Sequence, residues 1–549
     1  MNILAGRNMK IQRIIYIALI FLVLISASVV SAADDSANEF ISADEGPEII
    51  LEDNVQEDLA SANDNELILE ENDVAIDDWD FIGSGVENDY LKDSGSPGTF
   101  HDLGNLINNT AESYITLNTS YQVTGDEWIG LMDTGIIINR DLTIDGDGNT
   151  IDACKKALIF NIVGGNVVFK NIRIVNSNSY YGHGLIEGAI FGNATAINCT
   201  FDKDSVAMYS NDPGGSIAIN CTFTGNGGTN GGALYNVNAI NCTFTGNFAT
   251  NNGGAVFNST VINCTFIGNH ASGQGGAAYN CTAIDCNFIN NYADNGGAFS
   301  IGSAYNCNFT DNYVKNFGGA TYNVSAFNST FINNSCLEEG GAMVFGTAEN
   351  CTFINNSAGL SSDMANGTVI NSIFSGLSQR ISFSEVINCS FINITGSGNE
   401  RTIVNSNAYN CTFINLVMCG AISNGNAYNC TFKNITLDYI GAAIYEGNAY
   451  NSTLMDIELS AGAIYGGNAD GCTFINISSS NSGAAIWGGN AYNSIFINNT
   501  SGFSGGAIFE CVSVINCTFI CNTASYRGGA FYGKDNLVCD NCTFINNSA

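Results

Sequence analysis

Proline is nearly missing from this chain, with 3 in 549 residues. A strand ladder tolerates little proline, because the ring removes a hydrogen-bond donor. The poverty therefore suits a chain of paired strands and excludes collagen-like or proline-rich repeats. Charge is sparse, at 12% of residues, and lopsided. There are 16 Lys and Arg against 51 Asp and Glu, a formal net charge of −35. With no basic face to meet phosphates, nucleic acid is excluded as a partner. Three His, and five Arg after residue 33, leave little material for acid–base or anion-binding catalysis. Beyond residue 30 no apolar run is long enough to span a membrane.

The first 33 residues are read as a signal peptide. Arg7, Lys10 and Arg13 precede an apolar run from Ile14 to Leu24 that continues to Val30, and Ser31, Ala32 and Ala33 offer a small-residue cleavage site. An uncleaved signal anchor is the competing reading. Export predicts an extracellular or cell-surface location. Residues 34–94 are an acidic linker or pro-segment: Asp34 to Asp93 hold 21 of the acidic residues and one basic residue, Lys92. Such a stretch repels itself and resists packing.

What is abundant is repetition. A phrase of the form Asn-Cys-Thr-Phe recurs about seventeen times between residues 198 and 543. Its cysteine slot falls at Cys199, Cys221, Cys242, Cys264, Cys286 and Cys307, then onward through Ser329 and Cys351 to Cys542. The usual step is 21 or 22 residues, within a range of 17 to 25. A fixed period near twenty residues defines a solenoid, each repeat stacked on the last. Two or three short strands with tight corners fill one period. The expected fold is an all-β, single-stranded parallel β-helix of about 17–20 coils. At the spacing of strands in a sheet, this gives a stack of roughly 80–100 Å. Residues 95–130 are assigned to its N-terminal cap, with Leu103, Leu106 and Ile107 on one helical face. Residues 131–549 are assigned to the coils. The array ends at Asn546-Asn-Ser-Ala549 without a second cap, so it is expected to be cut short.

In one repeat, Ile240, Cys242 and Phe244 alternate with Asn241, Thr243 and Thr245, which predicts a strand with Ile, Cys and Phe facing in. The strand ends at an Asn that recurs as Asn226, Asn247 and Asn269. Asn tolerates a left-handed corner, and stacked amides can bond between rungs. Paired glycines, Gly231-Gly232 and Gly253-Gly254 among them, make a second corner. Only the piece between these two corners varies in length, so it is read as a loop on one edge of the stack, where binding would be grafted. Thirteen of the 20 cysteines occupy the repeat slot and four repeats carry Ser there. Such a slot asks for a small side chain, not a bridge. The other seven, Cys154, Cys281, Cys336, Cys419, Cys511, Cys521 and Cys539, are better bridge candidates. Asn-x-Thr/Ser occurs in nearly every repeat, and Asn108 and Asn118 are read as the loop positions best placed for glycosylation.

A row of aromatics recurs two residues after the Gly-Gly alanine: Tyr235, Phe257, Tyr279, Tyr322, Tyr445, Tyr465, Trp487, Phe509 and Tyr532. If the aliphatics before them face in, these rings form an exposed column able to stack on sugars or on a partner. If not, they fill the core. Both placements stay open. For chemistry, Asp145, Asp147, Asn149 and Asp152 are the densest oxygen cluster, but the loop fails as a calcium hand and reads as a tight turn. Asp202 and Asp204 are a weaker pair. No catalytic residue, metal or cofactor is assigned.

Gly-Gly-Ala-[Ile/Leu/Val] paired with Phe-x-x-Asn, as in Phe223-Thr-Gly-Asn226, Phe244-Thr-Gly-Asn247 and Phe266-Ile-Gly-Asn269, resembles the repeat of the polymorphic outer membrane proteins of chlamydiae. The stretch Ile144-Asp-Gly-Asp-Gly-Asn-Thr-Ile-Asp152, with Val168-Phe-Lys-Asn-Ile172, resembles the start of the β-helix in adhesin-like surface proteins of methanogenic archaea. The resemblance implies a right-handed, pectin-lyase-like β-helix, export (to the outer membrane, were it to hold in full) and adhesion to glycans or proteins of another cell. The rival class is a polysaccharide lyase or glycoside hydrolase on the same scaffold.

Overall fold

The computed structural model describes residues 96–549 except 126–133, 179–187, 378–379 and 438–441, and omits the side chains of 397–399. The signal and acidic segments lie outside the described residues. Gly85–Ala549 form a unit of their own.

That unit is an all-β parallel solenoid of about 19 turns, with a single helix among the described residues. The helix, Phe100–Asn109, is fixed at its start by a capping box. The Thr99 hydroxyl accepts from the Asp102 N–H, and the Asp102 carboxylate accepts from the Thr99 N–H. Its Phe100, Leu103 and Ile107 are buried over the first turn. Gly98–Thr99 pairs with Tyr121–Gln122, and the stack runs on from there. Each residue pairs with its counterpart one turn later: Phe223 with Phe244, then Phe266, then Phe288. Like therefore sits over like. The Phe rings of the repeat phrase form a buried column, with centroids 4.6–5.0 Å apart from Phe201 to Phe288 and on to Phe432. That distance is the rung spacing itself.

The repeat phrase is not one strand. Val237–Ile240 and Thr243–Thr245 are separate strands, and Asn241 between them is left-handed, at φ +55°. The corner resets the alternation. Ala239, Cys242 and Phe244 point inward, while Ile240, expected inside, is half-exposed. The exposed Asn amides of these corners form a ladder of their own, Asn263 to Asn241 to Asn220.

The second corner also differs from expectation. The left-handed residue is the one before the Asn, such as Gly225, Gly246 or Gly268, each at φ +60°. Asn226, Asn247 and Asn269 themselves turn inward and are fully buried. They head a seven-rung amide ladder ending at Asn356. Each Nδ2 donates to the Oδ1 of the next rung at 2.9–3.0 Å and to the carbonyl of a Phe in the preceding turn. Each Oδ1 also accepts the N–H of the rung before it. Every amide is thereby satisfied without water. In the later turns Ile394, Leu416, Ile435, Ile457 and Ile477 fill the same column, and the ladder resumes at Asn499 and Asn522.

The segment expected to be a variable loop is a third stack of strands. Gly227–Asn230, Phe248–Asn252, His270–Ala271 and four successors form a seven-stranded parallel sheet. In these seven turns variation in length is absorbed inside a strand, as at the register shift between Gly228 and Asn230, and not in a long loop. The glycine corner stands as expected. Gly231 and Gly253 are left-handed at φ +64°, and a Cβ on Gly232 or Gly254 would strike carbonyls of the neighbouring turn. Asn108, expected in a loop, lies within the helix.

The cysteine slot has a fuller explanation than size. The Cys264 Sγ donates to the Ile262 carbonyl at 3.3 Å, and the N–H of Cys242 in the turn before donates to that same Sγ at 3.4 Å. Where the slot holds Ser329, its hydroxyl makes the same two bonds with Phe327 and Cys307. The corner needs a small donor–acceptor, and either residue supplies it. All 20 cysteines are free thiols.

Candidate functional site

The aromatic row lies on the outside. Leu234, Val256, Ile444, Ile464, Ile486 and Ile508 are fully buried, while Tyr235, Phe257, Tyr279, Tyr322, Tyr445, Tyr465, Trp487 and Phe509 are half-exposed and Tyr532 is exposed. The structure adds Phe191 and Tyr209 at its head. The column is also broken. Ser300 interrupts it after Tyr279, and Val344, Ala365, Ser382, Val404 and Ser423 separate Tyr322 from Tyr445.

Within each run the rings lie flat on one another. Tyr209 and Tyr235 are 4.4 Å apart at 1°, Tyr235 and Phe257 5.0 Å at 4°, and Tyr445 and Tyr465 5.3 Å at 1°. Their π-faces are spent on each other, and edges and phenol hydroxyls remain for solvent. Trp487 departs from this, at 42° to Tyr465 and 77° to Phe509. A second outer row escaped the sequence reading. Tyr305 stacks with Phe327, Tyr409 with Tyr428, and Tyr428 with Tyr450. The recurring Asn-Ala-Tyr-Asn at 407–410, 426–429 and 448–451 was its signal.

The carboxylates do not converge on a site. Asp145 sits in the expected tight turn. Burial pushes its carboxyl up, but hydrogen bonds from the Tyr114 hydroxyl, the Asn171 amide and the Asp147 N–H outweigh this and leave it low. Asp202 pairs outward with Arg173 at 2.6 Å. Asp204 points inward as the head of the Asn ladder. Its Oδ1 accepts from the Ser177 N–H, and its N–H donates to Asn226 Oδ1. Asp363 closes the other end of that ladder, its Oδ1 accepting from Asn356 Nδ2. Asp363 stands one turn after Ala342 and one turn before Arg380 in its column, and there it satisfies the last amide of the ladder. Burial pushes both carboxyls up, each to about 8. No group of three or more His, Cys, Asp or Glu among the described residues could hold a metal ion. A shallow cavity of about 320 Å³ beside Ile162, Val163, Asn193, Asn211 and Asp212 has one carboxylate and no cation in its lining. No described helix is long and apolar enough to cross a membrane.

The class defined by this geometry is a parallel β-helix whose outer faces carry columns of like side chains. Residues 241–259 and 263–281 each match the Chlamydia polymorphic membrane protein repeat. No curated protein matches the chain. Among solved structures it is similar to the PL6 family alginate lyase AlyGC, with 8% identity over 82% of this chain and 99% of that one, at a TM-score of 0.25. The A-module of the Azotobacter vinelandii mannuronan C-5 epimerase AlgE6 is also similar, at 11% identity over 70% and 91%, TM-score 0.16. So is tailspike protein 3 of bacteriophage CBA120, at 8% over 82% and 61%, TM-score 0.16.

Proposed function

We propose that this chain is a non-catalytic, exported adhesin-like protein. Its β-helix serves as a rigid stalk that holds side-chain columns toward glycans or proteins of another cell. The observation that carries the reading is the polymorphic membrane protein repeat within residues 241–281, set in a solenoid whose neighbouring turns are built alike. Commitment of Asp145, Asp202, Asp204 and Asp363 to internal bonds supports it further, because a polysaccharide-cleaving site needs carboxylates free to meet substrate. The test is attachment of the purified full chain to a panel of whole cells, run beside incubation with neutral and uronate polysaccharides. Saturable attachment without a fall in polymer length is the expected result. Release of short or unsaturated sugars would transfer the protein to the lyase or hydrolase class.

A further inference from the structure

One outer column breaks the rules of the rest. Immediately after the aromatic column each turn from Asn236 to Glu510 has a left-handed corner, and Asn is its usual occupant, as at Asn236, Asn258, Asn280, Asn405 and Asn424. Their amides bond along the column, Asn280 to Asn258 to Asn236 and Asn424 to Asn405. Between these two stretches the occupant alternates. It runs Ile301, Asn323, Phe345, Asn366, Phe383, with φ of +58°, +55°, +58°, +58° and +48°. The register of the flanking residues places these five one above another. Branched and aromatic side chains are poorly tolerated in this backbone region, and strain of this kind gathers at functional positions. Burial does not repay it here, because Phe345 is 42% and Phe383 58% exposed.

The alternation frees two kinds of group. Phe383 meets no other ring among the described residues, and Phe345 meets only Tyr322, edge to face at 84°. Both faces of Phe383 are therefore clear of other rings, and Phe345 keeps at least one clear face, unlike the rings inside the regular columns. Asn323 and Asn366 are exposed, and with bulky neighbours above and below, their amides make no hydrogen bond among the described residues. The result is a strip of ring, amide, ring. Its two rings are two rungs apart, roughly 10 Å, the span of two sugar rings in a flat, extended chain.

We propose that this strip is a glycan-binding site for an uncharged, extended polysaccharide. Phe345 and Phe383 stack on the apolar faces of alternate sugar rings, and Asn323 and Asn366 bond hydroxyls between them. The strip itself holds no charged residue. The rest of the chain carries a large excess of acid over base, which repels polyanions. An uncharged chain fits the donors and acceptors present. The inference deepens the adhesin reading and rests on it for its biological setting.

The test compares the full chain with the double variant Phe345→Asn plus Phe383→Asn. The variant restores the residue that the left-handed corner prefers. Titration calorimetry with cellohexaose and with an alginate hexasaccharide reads binding, and a thermal scan reads folding. The expected result is binding of cellohexaose alone, weakened about tenfold per ring removed, with a thermal midpoint equal to or above that of the parent. Loss of affinity without loss of stability separates a contact role from a packing role. Equal binding by parent and variant, binding of the alginate hexamer alone, or no binding by the parent overturns the proposal. Cell attachment of the same two proteins separates it from the reading beneath. A parent that attaches to cells but binds neither hexasaccharide refutes the strip and leaves the surface role. A parent that binds cellohexaose but no cell refutes the surface role and leaves the strip.

Discussion

Raising the pH should loosen the solenoid at two identifiable turns. Asp204 and Asp363 end the Asn ladder, both are fully buried, and the Oδ2 of each finds no hydrogen-bond partner among the described residues. Asp204 Oδ1 takes the ladder bond that an Asn Oδ1 takes elsewhere, which leaves Oδ2 where the other rungs have an NH₂ donor. A proton on Oδ2 supplies that donor; an ionised carboxylate cannot. Burial accordingly pushes each carboxyl from the ordinary 3.8 to about 8. A raised acid gives stability that is fully present below about pH 4 and is lost as pH climbs through about 8. Four units correspond to about 5 kcal/mol per carboxyl as an upper figure. Solenoid stability is a sum over neighbouring turns, so the effect is local. Hydrogen exchange of peptides covering residues 199–247 and 352–374, followed from pH 5 to pH 9 and corrected for intrinsic rates, would read it. Because thiols in the unfolded chain also ionise above roughly 8.5, the informative comparison is with Asp204→Asn and Asp363→Asn at each pH. Each substitution should protect its own turn at pH 9 and leave the other turn unchanged. Equal protection in parent and variants across the whole range would refute the proton-bearing ladder ends.

Three further outcomes follow from the same geometry. Asn291→Ala strands the amide and N–H of Asn269, which both donate to Asn291 Oδ1; at 1–3 kcal/mol for each orphaned group it should cost about 3–5 kcal/mol, measurable by urea unfolding. Gly254→Ala drives a Cβ into the carbonyls of Gly276 and His270 and should disrupt its turn, whereas Gly246→Ala meets open space and only left-handed strain, about 1–2 kcal/mol; limited proteolysis separates the two. Cys264→Ser keeps both corner bonds and should unfold with the parent, while Cys264→Val leaves the Cys242 N–H unpaired and should lose about 1–3 kcal/mol, read as a shift in the thermal midpoint.

Much of the fold was legible because each turn repeats the same request. The phrase around Cys242, the Phe244 column and the Gly253-Gly254 corner announce themselves by recurrence, and a helical cap was visible from Leu103 and Ile107. The errors came from single backbone angles. Nothing in Ile240-Asn-Cys242 says that Asn241 is left-handed and resets the alternation, since Asn also tolerates an extended strand. Nor does it show that Gly246 makes the next corner and frees Asn247 to turn inward. The candidate site was harder still. The aromatic row could be counted, but whether its rings present faces or edges depends on what lies one rung away. The Ile301, Phe345 and Phe383 departures were visible as an alternation with Asn323 and Asn366, yet they carry meaning only once that column is known to be left-handed and exposed.

The sequence by itself determined that the chain is a stack. A twenty-odd-residue period of inward Phe and Ala with glycine corners can bury its apolar face only against a copy of itself. Which side chains are spent holding the turns together, and which are left over, was decided only by the tertiary structure. Stacking pairs like with like, so a residue's freedom depends on its counterpart in the neighbouring turn and not on its own identity. Asn247 is locked because Asn269 follows it in the column, and Asn366 is free because Phe345 and Phe383 flank it.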